Sequence, residues 1–159
     1  MPFVVTRSFH LDTWDESCRN KAKEFWQRQN FEFTESSDHM MQGKRGTLVQ
    51  NFCCCDPSRV TSTLTITSLE PNKIDAAIVV NTTFQLWSDW DKAFVQLEMA
   101  TFESYLLFDD AKETSWKEFR KWYNFAAVRA YTTFNLRGYR MTTKERTRFQ
   151  EYLQLSMDL

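Results

Sequence analysis

Apolar and polar residues alternate over Val60–Leu69. Val60, Leu64 and Ile66 point one way, and Thr61, Thr63, Thr65 and Thr67 point the other. A repeat of two is the signature of a half-exposed antiparallel strand. The same repeat runs through Ile74, Ala76, Ile78 and Val80 toward about Leu86. Phe3–Phe9 predicts a short strand. Phe31 and Phe33 begin another, with an interruption expected at Ser36–Asp38. His39–Arg45 and Thr47–Cys55 read as two further strands flanking a turn, Gly43-Lys44-Arg45-Gly46. Asp56-Pro57-Ser58 and Glu70-Pro71-Asn72-Lys73 are turn signals. Short turns between successive strands predict an antiparallel meander, because parallel strands need long crossovers.

Helical spacing marks four other segments. Trp14, Cys18, Ala22 and Phe25 share one face. The capping box Thr13-x-x-Glu16 predicts where that helix starts, and it should end near Gln29–Asn30. Asp15–Arg19 and Glu24–Arg28 are favourable pairs one turn apart. A second helix is expected from Ser88 to about Phe108. A third runs from the capping box Ser115-x-x-Glu118 to about Phe134, and a fourth from Thr142-x-x-Glu145 to about Leu155, with Gly138 between them. The expected architecture is α+β, with helices packed on one face of a four- to five-stranded antiparallel meander and a C-terminal helical pair. It reads as a single domain over residues 1–159. Residues 1–109 form a strand–helix–meander–helix body, and residues 110–159 form a basic helical extension packed on it.

Composition narrows the function classes. The chain has 159 residues but only three glycines, Gly43, Gly46 and Gly138. Average usage of about 7% would give roughly 11. Phosphate-cradling loops need several glycines for tight turns and close backbone approach. No G-x-G-x-x-G, P-loop or G-x-S-x-G elbow can be written here, which argues against kinases, P-loop NTPases, Rossmann dehydrogenases and α/β-hydrolases. Any site must be made of side chains, and 14 Phe with 6 Trp make aromatic ones prominent. No apolar run reaches the roughly 18 residues that span a bilayer. The start Met1-Pro2-Phe3-Val4-Val5-Thr6-Arg7 has no basic region followed by an apolar stretch, so a cytoplasmic location is expected.

Metal and cofactor chemistry find no support in the pattern. Cys53, Cys54 and Cys55 are consecutive, and neighbours on a strand diverge, so these and Cys18 read as free thiols. His10 and His39 stand in no ligand spacing. Neither a metal nor a cofactor is expected.

Net charge is −1, unevenly spread. Residues 1–110 hold ten Lys/Arg against sixteen Asp/Glu, and residues 111–159 hold ten against five. In the basic end Arg120, Arg129, Arg137, Arg140, Arg146 and Arg148 interleave with aromatics, a pattern that can hold phosphates and stack bases. Nucleic-acid modules are basic across a whole face. This end is better matched to the chain's own acidic body, or to a second copy, than to nucleic acid. Binding of nucleic acid or an anionic surface through residues 117–148 stays as an alternative.

Two constellations could carry function. On the second helix Trp90, Phe94 and Tyr105 form an apolar side into which Glu98 falls, with Asp91 close to the same line. A carboxylate among aromatics is desolvated, which suits acid–base work or ligand binding. It equally suits a structural pair with an Arg or a Tyr hydroxyl, and Asp91 equally suits the helix N-terminus. The two carboxylates stand about 10 Å apart along the axis, too far to share a proton. On the third helix Phe125 and Val128, with Trp122 at the edge, lie opposite the core stripe. Either the fourth helix covers them or a second copy does. The reading is a non-catalytic binding or assembly module that self-associates through aromatic helix surfaces. The second reading is an enzyme or small-ligand binder with a pocket around Glu98.

Overall fold

The computed structural model describes residues 2–53, 59–81 and 89–108, without the side chains of 52, 53, 89–91, 93, 94, 97 and 108. The chain divides into two compact units, Met1–Gln85 and Leu86–Leu159.

Among its described residues the first unit holds a five-stranded antiparallel sheet and two helices. In chain order it comprises β1 (Phe3–His10), α1 (Glu16–Arg28), β2 (Glu32–Ser36), β3 (Met40–Arg45), α2 (Leu48–Cys53), β4 (Ser62–Thr67) and β5 (Lys73–Val80). The sheet order is β1-β5-β4-β3-β2. Strands β2 to β5 therefore meander, and β1 returns to the far side of β5, all pairs being antiparallel. This is the α+β sheet that the alternation predicts. The expected C-terminal helical pair lies outside the described residues.

The register aligns one face. Phe33, Gly43, Leu64, Ile78 and Val5 fall in one row across all five strands. Leu64, Ile66, Ile74, Ile78 and Val80 are fully buried there, each contributing about 1.5–3 kcal/mol over an exposed position. The opposite face carries Thr63, Thr65 and Thr67, only half-buried, with exposed Val4, Thr6 and Ser8 on β1. Slipping any strand by one residue would exchange the two faces, so burial fixes the register. Gly43 fits this row because a Cβ there would meet the Glu32 carbonyl oxygen at 3.3 Å and the Phe33 ring at 3.6 Å. Strand β2 is bulged between Phe33 and Glu35.

Two local expectations are corrected. Residues 48–53 form a helix rather than a strand. Thr47 and Gln50 make a reciprocal capping box: the Thr47 N–H donates to Gln50 Oε1 at 3.0 Å, and the Gln50 N–H donates to Thr47 Oγ1 at 3.3 Å. The apolar pair that suggested a strand, Leu48 and Val49, is 60% and 73% exposed. In consequence Gly43, Lys44 and Arg45 belong to β3, and Gly46 alone makes the corner, at φ +75°. The second correction concerns α1, whose N-cap is Asp15 rather than Thr13; Asp15 Oδ1 accepts from the Cys18 N–H at 2.8 Å. Arg19 correspondingly pairs with Asp38 at 3.0 Å instead of Asp15, whereas the Glu24–Arg28 pair forms as expected.

In the second unit α3 spans Asp89–Phe108, matching the predicted second helix. Val95 and the run Glu98–Phe102 are buried, as are Ser104, Tyr105 and Leu106. Only Lys92, Gln96 and Leu107 are exposed among its described side chains. Those three lie on one narrow strip of the helix, so α3 is enclosed around most of its circumference.

Candidate functional site

The first unit carries a cleft of about 480 Å³ where the ends of α1, β2, β3 and α2 converge. Its walls follow from local rules. Asn30, at φ 66°, ends α1 and sends the chain back into β2, which contributes Glu32. Strand β3 delivers Lys44 and Arg45 on opposite sides of its last turn of pleat. Gly46 then bends the chain, the capping box presents Thr47 and Gln50, and Arg59 closes the far wall.

Arg45 is the unusual member. It points to the buried face of the sheet and is only 2% exposed. Its guanidinium stacks 4.4 Å over the Phe31 ring centroid. Its Nη1 donates to the Gln29 carbonyl at 3.4 Å, and Gln29 is the C-cap of α1. The negative end of the helix dipole therefore lies at this cation. Lys44 is exposed and sits directly across from Glu32 in the β2–β3 register. Arg59 is also exposed. Among the described residues Lys44, Arg45, Arg59 and Glu32 are the charged ones that line the cleft, with Asn30, Thr47 and Gln50 as neutral polar neighbours. Guanidinium and ammonium groups hold charge and donate hydrogen bonds.

Behind the cleft Asn51 anchors α2. Its side chain is fully buried, with Oδ1 accepting from the Thr61 N–H at 2.7 Å and Nδ2 donating to the Asn81 carbonyl at 3.3 Å. Thr61 and Asn81 also bond to each other, the Asn81 N–H donating to the Thr61 carbonyl at 2.8 Å. One side chain therefore ties α2 to the entry of β4 and the exit of β5.

The residues singled out from sequence fall elsewhere. Glu98 is on α3, is 0% exposed and takes part in an interaction with its surroundings. Tyr105, two turns on, is buried as well. Trp90, Asp91 and Phe94 also belong to α3, but their side chains lie outside the described residues. So do the interface candidates Trp122, Phe125 and Val128 and the anion-binding candidates Arg120, Arg129, Arg137, Arg140, Arg146 and Arg148. None of the cleft residues was singled out, because Arg45 reads as a turn residue until the register of β3 is known. Gly46 followed by Thr47-x-x-Gln50 is the signal that could have placed the corner.

Cys18 is the described free cysteine, half-buried on α1. Burial pushes its thiol pKa up, and the neighbouring Asp15 carboxylate adds to the rise. Among the described residues no group of three or more His, Cys, Asp or Glu is placed to hold a metal ion, and no helix is long and apolar enough to cross a membrane. Comparison with protein-family models, curated proteins and solved structures finds no match to this chain.

Proposed function

We propose that the chain is a non-catalytic binding module that takes a small molecule in the cleft beside Arg45. The observation that carries this reading is a buried guanidinium held in the wall of an open cleft by Phe31 and the end of α1. Its position is fixed before any ligand arrives, so the wall it supports is preorganised. The groups around it are suited to recognition. Among the described lining residues Thr47 carries a hydroxyl, and it accepts from the Gln50 N–H in the capping box. A fragment screen read by amide NMR tests the reading. Binding shifts the amides of Gly46, Thr47 and Gln50 in a saturable way, and a screen that leaves all three unmoved overturns it.

Self-association through Trp122, Phe125 and Val128 is the second part of the proposal, and it rests on the two-sided apolar pattern of residues 116–134. Light scattering tests it. A dimer or larger species that Phe125→Glu converts to monomer supports it, and a wild-type monomer refutes it.

A further inference from the structure

We infer that the outer edge of β1 is an interaction surface that pairs antiparallel with β1 of a second copy, joining the two sheets about a two-fold axis at Thr6. Strand β1 ends the sheet order, so it is paired on one side, with β5. The Leu11 N–H donates to the Asn72 carbonyl at 2.8 Å, and these two residues continue the β1–β5 register. Odd-numbered residues of β1 therefore bond to β5, and the N–H and C=O of Val4, Thr6, Ser8 and His10 point away from it. Among the described residues no strand pairs with that row, and the side chains of all four are exposed.

The two edges of the sheet differ. Strand β2 has five residues, is bulged and presents Glu32 and Glu35, features that discourage edge pairing. Strand β1 has eight residues in unbroken register, contains no proline or lysine, and carries no acid. A long, regular edge without such guards is a template for another strand. Its own sequence fits it. With the axis at Thr6, Thr6 faces Thr6 and Val4 faces Ser8 across the joint, each pair exchanging two main-chain bonds, about six in all. On the other face Val5 meets Arg7, whereas an axis at Arg7 would set two like charges opposite each other. Residues 1–110 hold sixteen Asp/Glu against ten Lys/Arg. A body rich in acids meets its own copy most readily along a row where none stands. This surface is distinct from the helix surface around Phe125, so each can fail alone.

The test follows the full chain by light scattering and by amide hydrogen exchange, over an about hundredfold range of protein concentration. The expected result is a dimer at the high end. Exchange at Val4, Thr6 and Ser8 slows as it forms, while the amides of Val5 and Arg7, already bonded to β5, change little. Thr6→Pro removes the donors of two joint bonds and none to β5, because that N–H faces outward. It weakens the dimer by about tenfold to a hundredfold. Thr6→Lys sets two ammonium groups at the axis and weakens the dimer by about tenfold. Thr6 is exposed, so Thr6→Lys leaves the protomer folded, and unchanged amide shifts in β3 and β4 verify it. Ser36→Lys, on the opposite edge, leaves the dimer intact. A chain that is monomeric throughout overturns the inference, and so does a dimer that ignores both Thr6 variants. Slow exchange at the three amides in the monomer also overturns it, since the chain's own residues would then cover the edge. A dimer that Thr6→Lys dissociates and Phe125→Glu does not supports the edge and refutes the helix surface. The reverse pattern overturns the edge and leaves the helix-surface reading standing.

Discussion

The Phe31 ring stands edge-on to the Trp26 indole, with centroids 5.3 Å apart and planes at 84°, while the Phe31 backbone N–H donates to the Trp26 carbonyl at 3.0 Å. The Asn30 N–H donates to the Gln27 carbonyl, also at 3.0 Å. Together these bonds are the Schellman arrangement that closes a helix, with its accompanying apolar contact. Arg45 lies over the same Phe31 ring. The stop signal of α1, the start of β2 and the buried cation of the cleft are therefore one local structure.

Phe31→Ala removes the apolar contact that closes α1 and the ring beneath Arg45. Phe31 is among the largest fully buried side chains, so the expected loss is about 3–5 kcal/mol. Urea unfolding followed by tryptophan fluorescence measures it. A loss below 1 kcal/mol would mean that the ring is not integral to the core.

Asn30 holds a left-handed backbone conformation at φ 66°. Asparagine tolerates it, glycine tolerates it better, and a β-branched residue does not. Asn30→Gly is expected to leave stability unchanged or slightly raised. Asn30→Val is expected to lower it by about 1–2 kcal/mol. Equal stabilities for the two variants would refute the assignment of this residue as the helix stop.

Gly46 has both a positive φ and no room. A Cβ there would sit 2.4 Å from the Arg59 carbonyl oxygen and 2.5 Å from the Val60 carbonyl carbon. Backbone atoms cannot move aside as a side-chain tip can. Gly46→Ala should cost more than the 1–2 kcal/mol of left-handed strain alone and should widen the cleft at Arg59. Thermal denaturation gives the first effect, and the Arg59 amide shift gives the second. A melting temperature equal to wild type would contradict the corner geometry.

Asn51 serves two backbone groups at once, one as acceptor and one as donor. Asn51→Leu fits by volume but leaves the Thr61 N–H and the Asn81 carbonyl without it. Each group left unsatisfied costs about 1–3 kcal/mol. Asn51→Asp keeps the acceptor and loses the donor. Amide hydrogen exchange at Thr61 should accelerate in Asn51→Leu and much less in Asn51→Asp. Equal acceleration in both would show that the Oδ1 bond does not protect this amide.

The sheet was readable because one face is buried. Alternation in Val60–Leu69 and Ile74–Val80 survives in the sequence as it stands, and the register follows from it. The buried position of Glu98 was readable for a similar reason, since it falls inside the apolar arc of its helix. Residues 47–53 misled because Leu48 and Val49 are apolar yet exposed, and an exposed aliphatic side chain carries no information about the core. The capping-box chemistry of Thr47 and Gln50 outweighs their strand preference. The cleft was not readable at all. Its residues come from separate elements, and the burial of Arg45 depends on Phe31 and Gln29, which only the tertiary fold brings to it.

Cys18 gives a pH-dependent prediction with a definite sign. Burial disfavours the thiolate, and the Asp15 carboxylate disfavours it further, so the folded thiol ionises at higher pH than a free one. Alkylation of Cys18 by iodoacetamide should therefore rise at higher pH than alkylation of the unfolded chain, read peptide by peptide so that Cys53, Cys54 and Cys55 do not contribute. Because the folded value is raised, the protonated thiol's contribution to stability is complete below the unfolded pKa and is lost as pH climbs through the folded one. Asp15→Asn separates the two causes. Asparagine caps a helix as well as aspartate does, so α1 is retained while the charge disappears. The alkylation curve of the variant should move part of the way back toward lower pH, leaving the remainder to burial. A curve that does not move would assign the whole effect to burial, and a wild-type curve matching the unfolded chain would refute the environment described for this thiol.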